Sequence, residues 1–272
     1  MVEKNNITYK MLRVTHNAGF FSCFSVRAHE IIQYFNINKC LPSIVDSSVQ
    51  FRMYKHHFED DITFDFLKPY NNDIEIHYTG GITLDITWLQ FQKYKDIPYN
   101  TITPFINKYF TPSDRIQSLS TSIMEKYALT PTNCIGVYYR GTDKHRETSL
   151  ASYSSFYTKL KEVLAIPGNE HAQILIQSDT QQFLEYIKAH STDISANIII
   201  ITENTISNTS RGIHNEHTYA ENYIDIQNFF ATLLILAKCK HFICSSGNCS
   251  IWAVYFRENA HNVHQVLNNI WI

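Results

Sequence analysis

The chain has 272 residues, 44% of them hydrophobic and 18% charged, so it has enough apolar side chains for a packed core and too many for a disordered polymer. Lys and Arg number 23 against 25 Asp and Glu, a formal charge of −2. That balance excludes a broad basic face for nucleic acid or an anionic membrane, so any phosphate has to be held locally.

The length exceeds the roughly 250 residues at which one hydrophobic core stops growing, which predicts two domains, 1–130 and 131–272. Met1 to Lys10 has no apolar signal core, and no stretch approaches the ~20 apolar residues of a membrane span, so a cytoplasmic chain is expected. The six cysteines are scattered, without a C-x-x-C pair, and read as reduced thiols; the sequons at Asn208 and Asn248 then carry no weight.

In chain order, residues 9–15 (YKMLRVT) form a strand, the loop His16-Asn17-Ala18-Gly19-Phe20-Phe21 follows, and Ser25 to Tyr34 has helical spacing. Pro42 to Val45 is a second short strand ending at Asp46. Residues 50–115 are rich in aromatics and turn formers and show no clean period. Ser113 to Tyr127 has amphipathic helical spacing, broken by Leu129-Thr130-Pro131-Thr132-Asn133, where the domain boundary is placed. Beyond it the pattern alternates: strand Cys134 to Tyr139, helix Ser152 to Leu164, strand Gln173 to Gln177 and helix Thr180 to His190. Strand Asn197 to Ile201, helix Tyr223 to Lys238, strand His241 to Cys244 and helix Ser250 to Phe256 complete it. Alternation of this kind predicts an α/β protein with a doubly wound parallel sheet.

In such sheets ligands bind beyond the carboxyl ends of the strands, which singles out three polar clusters. In Ile135-Gly136-Val137-Tyr138-Tyr139-Arg140-Gly141-Thr142-Asp143-Lys144 an apolar strand runs straight into Arg140, whose guanidinium can grip a diphosphate and stabilise it as a leaving group without a metal. Read alone, the same segment is also an ordinary solvated turn. Ser178-Asp179-Thr180 closes a strand and opens a helix, as a cap or a ligand contact. Ser245-Ser246-Gly247-Asn248-Cys249-Ser250 joins a strand to a helix N-terminus, a setting that favours phosphate and equally suits a plain capping loop.

These segments, in this order, resemble the catalytic domain of the α1,6-fucosyltransferases and the related α1,2- and protein O-fucosyltransferases. In that family a strand ends in a pattern like I-G-V-H-x-R-R-T-D-K, matched by Ile135 to Lys144. Ser178-Asp179 resembles its T-D-D, Ser207 to Asn215 its S-x-S-x-G-x-H-N segment, and Phe242 to Ser250 its F-L-V-C-T-x-S-S strand and loop. The resemblance covers about half the chain, residues 133–260; Asn17 to Ser22 and Pro42 to Asp46 add a softer likeness.

It implies a GT-B fold, two Rossmann-like domains whose parallel sheets face across a cleft, and inverting, metal-independent transfer of a sugar, L-fucose from GDP-fucose, to a glycan acceptor. Arg140 would bind the donor's β-phosphate, Ser245 and Ser246 would hold phosphate oxygens with Asn248 beside them, and Asp179 and His214 would line the nucleotide pocket. Asn17, Gly19, Phe20, Asp46, Lys144 and Ser178 complete the candidate binding set. Two positions depart from the pattern. The second arginine is Gly141, and an acidic residue usual in the helix before the last strand is Leu233, so guanine recognition would need Asp225 or a backbone carbonyl in its place.

An inverting transferase needs a base for the acceptor proton, and Glu147 is the first candidate, with Asp143 and Asp46 as rivals. The 13 histidines show no third ligand beside His56-His57 or His214/His217, so no metal cofactor is expected. The aromatics Tyr54, Phe58, Phe64, Phe66 and Trp88 suit either the core or sugar stacking. A UDP-sugar donor such as UDP-xylose on the same fold, and a catalytically silent nucleotide-sugar or glycan-binding module, are the alternatives. Acceptor, linkage and oligomeric state depend on loop shapes outside the motifs.

Overall fold

The computed structural model describes residues 10–209 and 211–272, the side chain of Asp193 excepted. The reading of the N-terminal ten residues, the Tyr9 end of the first strand and Ser210 within the Ser207 to Asn215 segment lie outside that range or at its edge.

In the first half, β1 (Met11–Arg13) and β2 (Ile44–Asp46) pair in parallel and are joined by α1 (Phe20–Asn38). Among the described residues this half has no further strand, so its sheet is much smaller than the Rossmann-like one expected. Its other described residues form turns, three short 3-10 segments and three α-helices, α2 (Thr63–Phe66), α3 (Tyr99–Tyr109) and α4 (Asp114–Lys126). The hydroxyl of Ser113 caps α4 by accepting from the Ile116 amide at 3.4 Å.

The second half carries a six-stranded sheet built from β3 (Cys134–Tyr139), β4 (Gln173–Ser178), β5 (Ile198–Ile200), β6 (His241–Ser245), β7 (Val263–Leu267) and β8 (Ile270–Trp271). Their order is β5-β4-β3-β6-β7-β8, parallel except for the final β7–β8 pair. Four helices connect them: α5 (Tyr153–Leu164), α6 (Gln181–His190), α7 (Tyr219–Lys238) and α8 (Asn248–Arg257). The chain winds outward from β3 to β5, returns through α7, and winds the other way from β6. The reversal between β3 and β6 makes a crevice at their carboxyl ends, where open sheets of this kind bind ligands.

Local chemistry explains the central elements. β3 is buried along its whole length, as a strand covered on both faces must be. At Gly136 a Cβ would come within 2.9 Å of Leu236 and 3.1 Å of Cys239 Sγ, so α7 approaches β3 at a distance only glycine allows. Thr218 and Glu221 close a reciprocal capping box at the start of α7.

The two halves share one core. Phe24 of α1 meets Trp252 of α8 at 5.1 Å between ring centroids, and Phe20 meets Phe230 of α7 at 6.0 Å, within a cluster that also holds Phe51, Phe66 and Phe110. Among the described residues no helix is long and apolar enough to cross a membrane.

Candidate active site

A cavity of about 420 Å³ opens at the β3–β6 switch point, between the N-terminus of α1, the segment around Gln90, and the strand ends of the second half. Its floor is organised by Arg140, which β3 delivers to the carboxyl edge of the sheet. The backbone amide of Arg140 donates to Ser245 Oγ at 3.2 Å, tying the ends of β3 and β6 together. Its Nη2 donates to Asp143 Oδ1 at 2.7 Å, Nε lies 3.2 Å from Asp179 Oδ2, and among the described residues Nη1 meets only Cys249 Sγ, at 3.9 Å.

Asp179 is buried and firmly held. Its Oδ1 accepts from the Gly141 amide at 2.8 Å and its Oδ2 from the Thr142 hydroxyl at 2.7 Å. Burial works against charge on Arg140, but Asp179, Tyr138, Cys249 and Asp143 outweigh it and hold the guanidinium pKa well above its ordinary value. Burial raises Asp143, and Arg140 more than compensates, leaving that carboxyl below the usual range. His214 is pushed down by burial and by Arg140, with Asp143 opposing.

Opposite Nη1 stands the N-terminus of α8. No side chain caps it, and Gly247, Asn248, Cys249 and Ser250 all line the cavity. The Gly247 amide is taken by Tyr94 OH at 3.0 Å, so the amides of the first helical turn from Asn248 on and a fixed guanidinium border one space, which suits an anion. Gly141 explains the missing second arginine: a Cβ there would lie 2.7 Å from Thr180 and 2.8 Å from Tyr139, so the position has no room for a side chain.

Lys144 is buried beside this floor and bridges Glu147 Oε2 at 2.5 Å and Gln90 Oε1 at 3.3 Å, with its ammonium 4.9 Å from the Phe91 ring centroid. Glu147 thus has an oriented carboxylate on the cavity wall while its side chain stays 48% exposed.

Of the residues predicted from sequence, Gly19, Phe20, Arg140, Asp143, Lys144, Glu147, Asp179, His214, Ser245, Ser246 and Asn248 line the cavity. Three do not. Asn17 instead ties its loop to the following segment, donating to Val49 O at 2.6 Å and accepting from the Arg52 amide at 3.1 Å. Asp46, at the end of β2, is engaged by Ser48 and by Arg13 of β1 and is not among the residues lining the cavity. Ser178 is buried and turns its hydroxyl to Thr180, accepting from that amide at 3.1 Å.

Two others have different roles from those expected. The Ser246 hydroxyl donates to Val266 O at 2.8 Å and accepts from Gln265 at 2.7 Å, and its amide also bonds Val266 O, so it anchors β7 instead of offering donors to phosphate. The Phe20 ring belongs to the aromatic core, although its backbone borders the cavity and donates to Tyr54 OH at 3.0 Å.

Gln177, Asn204, Thr205, Asn222 and Phe229 also line the cavity and were not legible as site residues; Asp225, the acceptor suggested for guanine, lines it too, and its oxygens accept from Thr205 at 2.7 Å and His217 at 2.6 Å. Leu233 sits in the core and takes no part. Gln177 carried a faint signal, a carboxamide ending the apolar run Ile174-Leu175-Ile176; Asn204 and Asn222 lie in a loop and a helix turn without any motif. Among the described residues, no group of three or more His, Cys, Asp or Glu is placed to hold a metal ion.

No family sequence model matches the chain, and no curated protein matches it by sequence. Structural comparison gives a clear answer for the fold, which is the α/β fold of the GT-B fucosyltransferase structures. The α1,6-fucosyltransferase NodZ soaked with GDP-fucose superposes with a TM-score of 0.58 at 12% identity, over 91% of this chain and 92% of that one. NodZ co-crystallised with GDP gives 0.56 at 12% identity over 90% and 91%, and the enzyme is known from Bradyrhizobium. A variant of Arabidopsis thaliana FUT1 in complex with GDP gives 0.50 at 12% identity, over 94% of this chain and 69% of that one.

Proposed function

We propose that the protein is a glycosyltransferase that takes a sugar from a nucleoside diphosphate donor, GDP-fucose being the first candidate, and moves it with inversion to a glycan. The observation that carries this reading is the convergence of Arg140 Nη1 and the uncapped N-terminus of α8 on the switch-point cavity. Similarity of fold to fucosyltransferases solved with GDP or GDP-fucose supports it.

The donor lies in the 131–272 half with its diphosphate between Arg140 and α8, and residues 1–130 form the acceptor side. Glu147, oriented by Lys144, takes the proton of the acceptor hydroxyl as that oxygen attacks the anomeric carbon and the bond to the β-phosphate oxygen breaks. Asp143 is the rival base, and its pairing with Arg140 holds its carboxyl below the usual range. Arg140 and the helix amides stabilise the departing diphosphate charge, a task that does not require a metal.

The test is to incubate the protein with GDP-fucose and, separately, UDP-sugars, measuring nucleotide release and titrating GDP and UDP by calorimetry. Release of GDP with tighter GDP than UDP binding is expected. A tighter UDP constant moves the donor to a UDP-sugar, and failure to turn over any nucleotide sugar while GDP still binds leaves a silent binding module.

A further inference from the structure

Asn204 sits on the cavity wall beyond Asp179 and is only 5% exposed. Both hydrogens of its amide nitrogen are engaged: Nδ2 donates to Gln177 Oε1 at 2.7 Å and to Thr232 Oγ1 at 2.9 Å. Gln177 fixes which way the carboxamide points: its own amide nitrogen donates to Ser178 O at 3.3 Å, which turns its oxygen to Asn204, so a flipped Asn204 amide would set oxygen against oxygen. The oxygen left over, Asn204 Oδ1, is buried and has no hydrogen-bond partner. A buried acceptor without a donor is costly, and each such case in a folded protein calls for an explanation.

We propose that Asn204 is the residue that reads the donor's base, its Oδ1 accepting from the N–H edge of a guanine. This rests on the nucleotide-donor reading above and adds the residue that sets base specificity. Asp225, whose oxygens each accept one hydrogen bond, from Thr205 and His217, is the rival acceptor lining the cavity, but unlike Asn204 Oδ1 it is not left without a donor; Leu233 is in the core. A purine with a hydrogen on ring N1 and an amino group at C2 satisfies the orphan oxygen. Adenine sets a lone pair at N1 and a C–H at C2 against it, so the oxygen stays unpaired. Thr232, fully buried and off the cavity wall, acts on the base only by holding the Asn204 amide, and is a positioning residue.

The experiment is a calorimetric comparison of GDP and ADP on the full chain, its Asn204→Ala and Thr232→Val variants, and Arg140→Ala as a control. GDP should bind the parent protein at least about tenfold more tightly than ADP. The ratio should fall to within about threefold in Asn204→Ala and narrow in Thr232→Val, whereas Arg140→Ala should weaken both nucleotides alike. An unchanged ratio in a folded Asn204→Ala variant overturns the assignment; if that variant does not fold, an unchanged ratio in Thr232→Val does so. Equal binding of GDP and ADP, both dependent on Arg140, removes the role of Asn204 and leaves the donor reading standing. Binding of no nucleoside diphosphate at all overturns both.

Discussion

Replacing Arg140 by alanine separates the structural role of the guanidinium from its chemical one. In the fold it pairs with Asp143 at 2.7 Å and approaches Asp179 at 3.2 Å, with 26% of its side chain exposed. Asp179 keeps its bonds from Gly141 and Thr142, and Asp143 is itself a quarter exposed, so neither carboxylate becomes an isolated buried charge. The loss of stability should therefore stay near the value of one charge-assisted hydrogen bond, about 1.5–3 kcal/mol, short of the 3–5 kcal/mol typical of breaking a fully buried pair. The loss of turnover should be larger: removing one preorganised donor at a developing oxyanion costs about 10²–10³ in kcat. Arg140→Lys should be impaired nearly as much, because one ammonium cannot reach Asp143, Asp179 and the space before α8 together. Steady-state release of GDP from GDP-fucose, with thermal melts of each variant, measures both quantities. A folded Arg140→Ala protein within about threefold of the parent rate would refute the role assigned to this side chain.

Glu147→Gln should lower kcat by about 10²–10⁴ with little change in GDP affinity, and Asp143→Asn by less; the reverse order in acceptor-saturated rates would make Asp143 the base. Transfer should proceed at full rate in excess EDTA, and loss of rate restored by Mg²⁺ or Mn²⁺ would contradict the reliance on Arg140. Acid sensitivity should centre on the stacked pair His241 and His264, whose rings are 5.5 Å apart. Burial, His241 and Lys159 depress His264 to about 4, so the native state binds fewer protons than the unfolded chain, whose histidine titrates near 6.5. Its contribution to stability is present above about pH 6.5 and is lost as pH falls towards 4. Melts at pH 7.5 and 5 should therefore differ less in His264→Asn than in the parent, and an equal difference would count against it.

The sequence by itself determined the second half of the molecule, because β3 to β6 and their helices announce themselves through local pattern. An all-apolar run ending in Arg140, and helices with periodic apolar faces, need no knowledge of distant residues. β7 and β8 escaped that reading since they are short and separated only by Asn268 and Asn269; β7 forms by pairing with β6, a non-local contact, and the two-residue β8 then folds back antiparallel on β7. In the first half, α3 was hidden by the internal Pro104, which removes a helix hydrogen bond, and by aromatics whose burial follows no period.

The site divides in the same way. Arg140, Asp179 and Ser245 were legible because each directly ends or follows a strand at the carboxyl edge. Whether a polar residue faces the cavity or is engaged elsewhere was decided only by tertiary structure: Ser245 meets the Arg140 amide, while its neighbour Ser246 turns to β7. Asn204 is the extreme case. Nothing around it in the sequence marks it, and its orientation is set by Gln177 on β4 and Thr232 on α7, 27 and 28 residues away, through hydrogen bonds that exist only once the sheet and helix have packed.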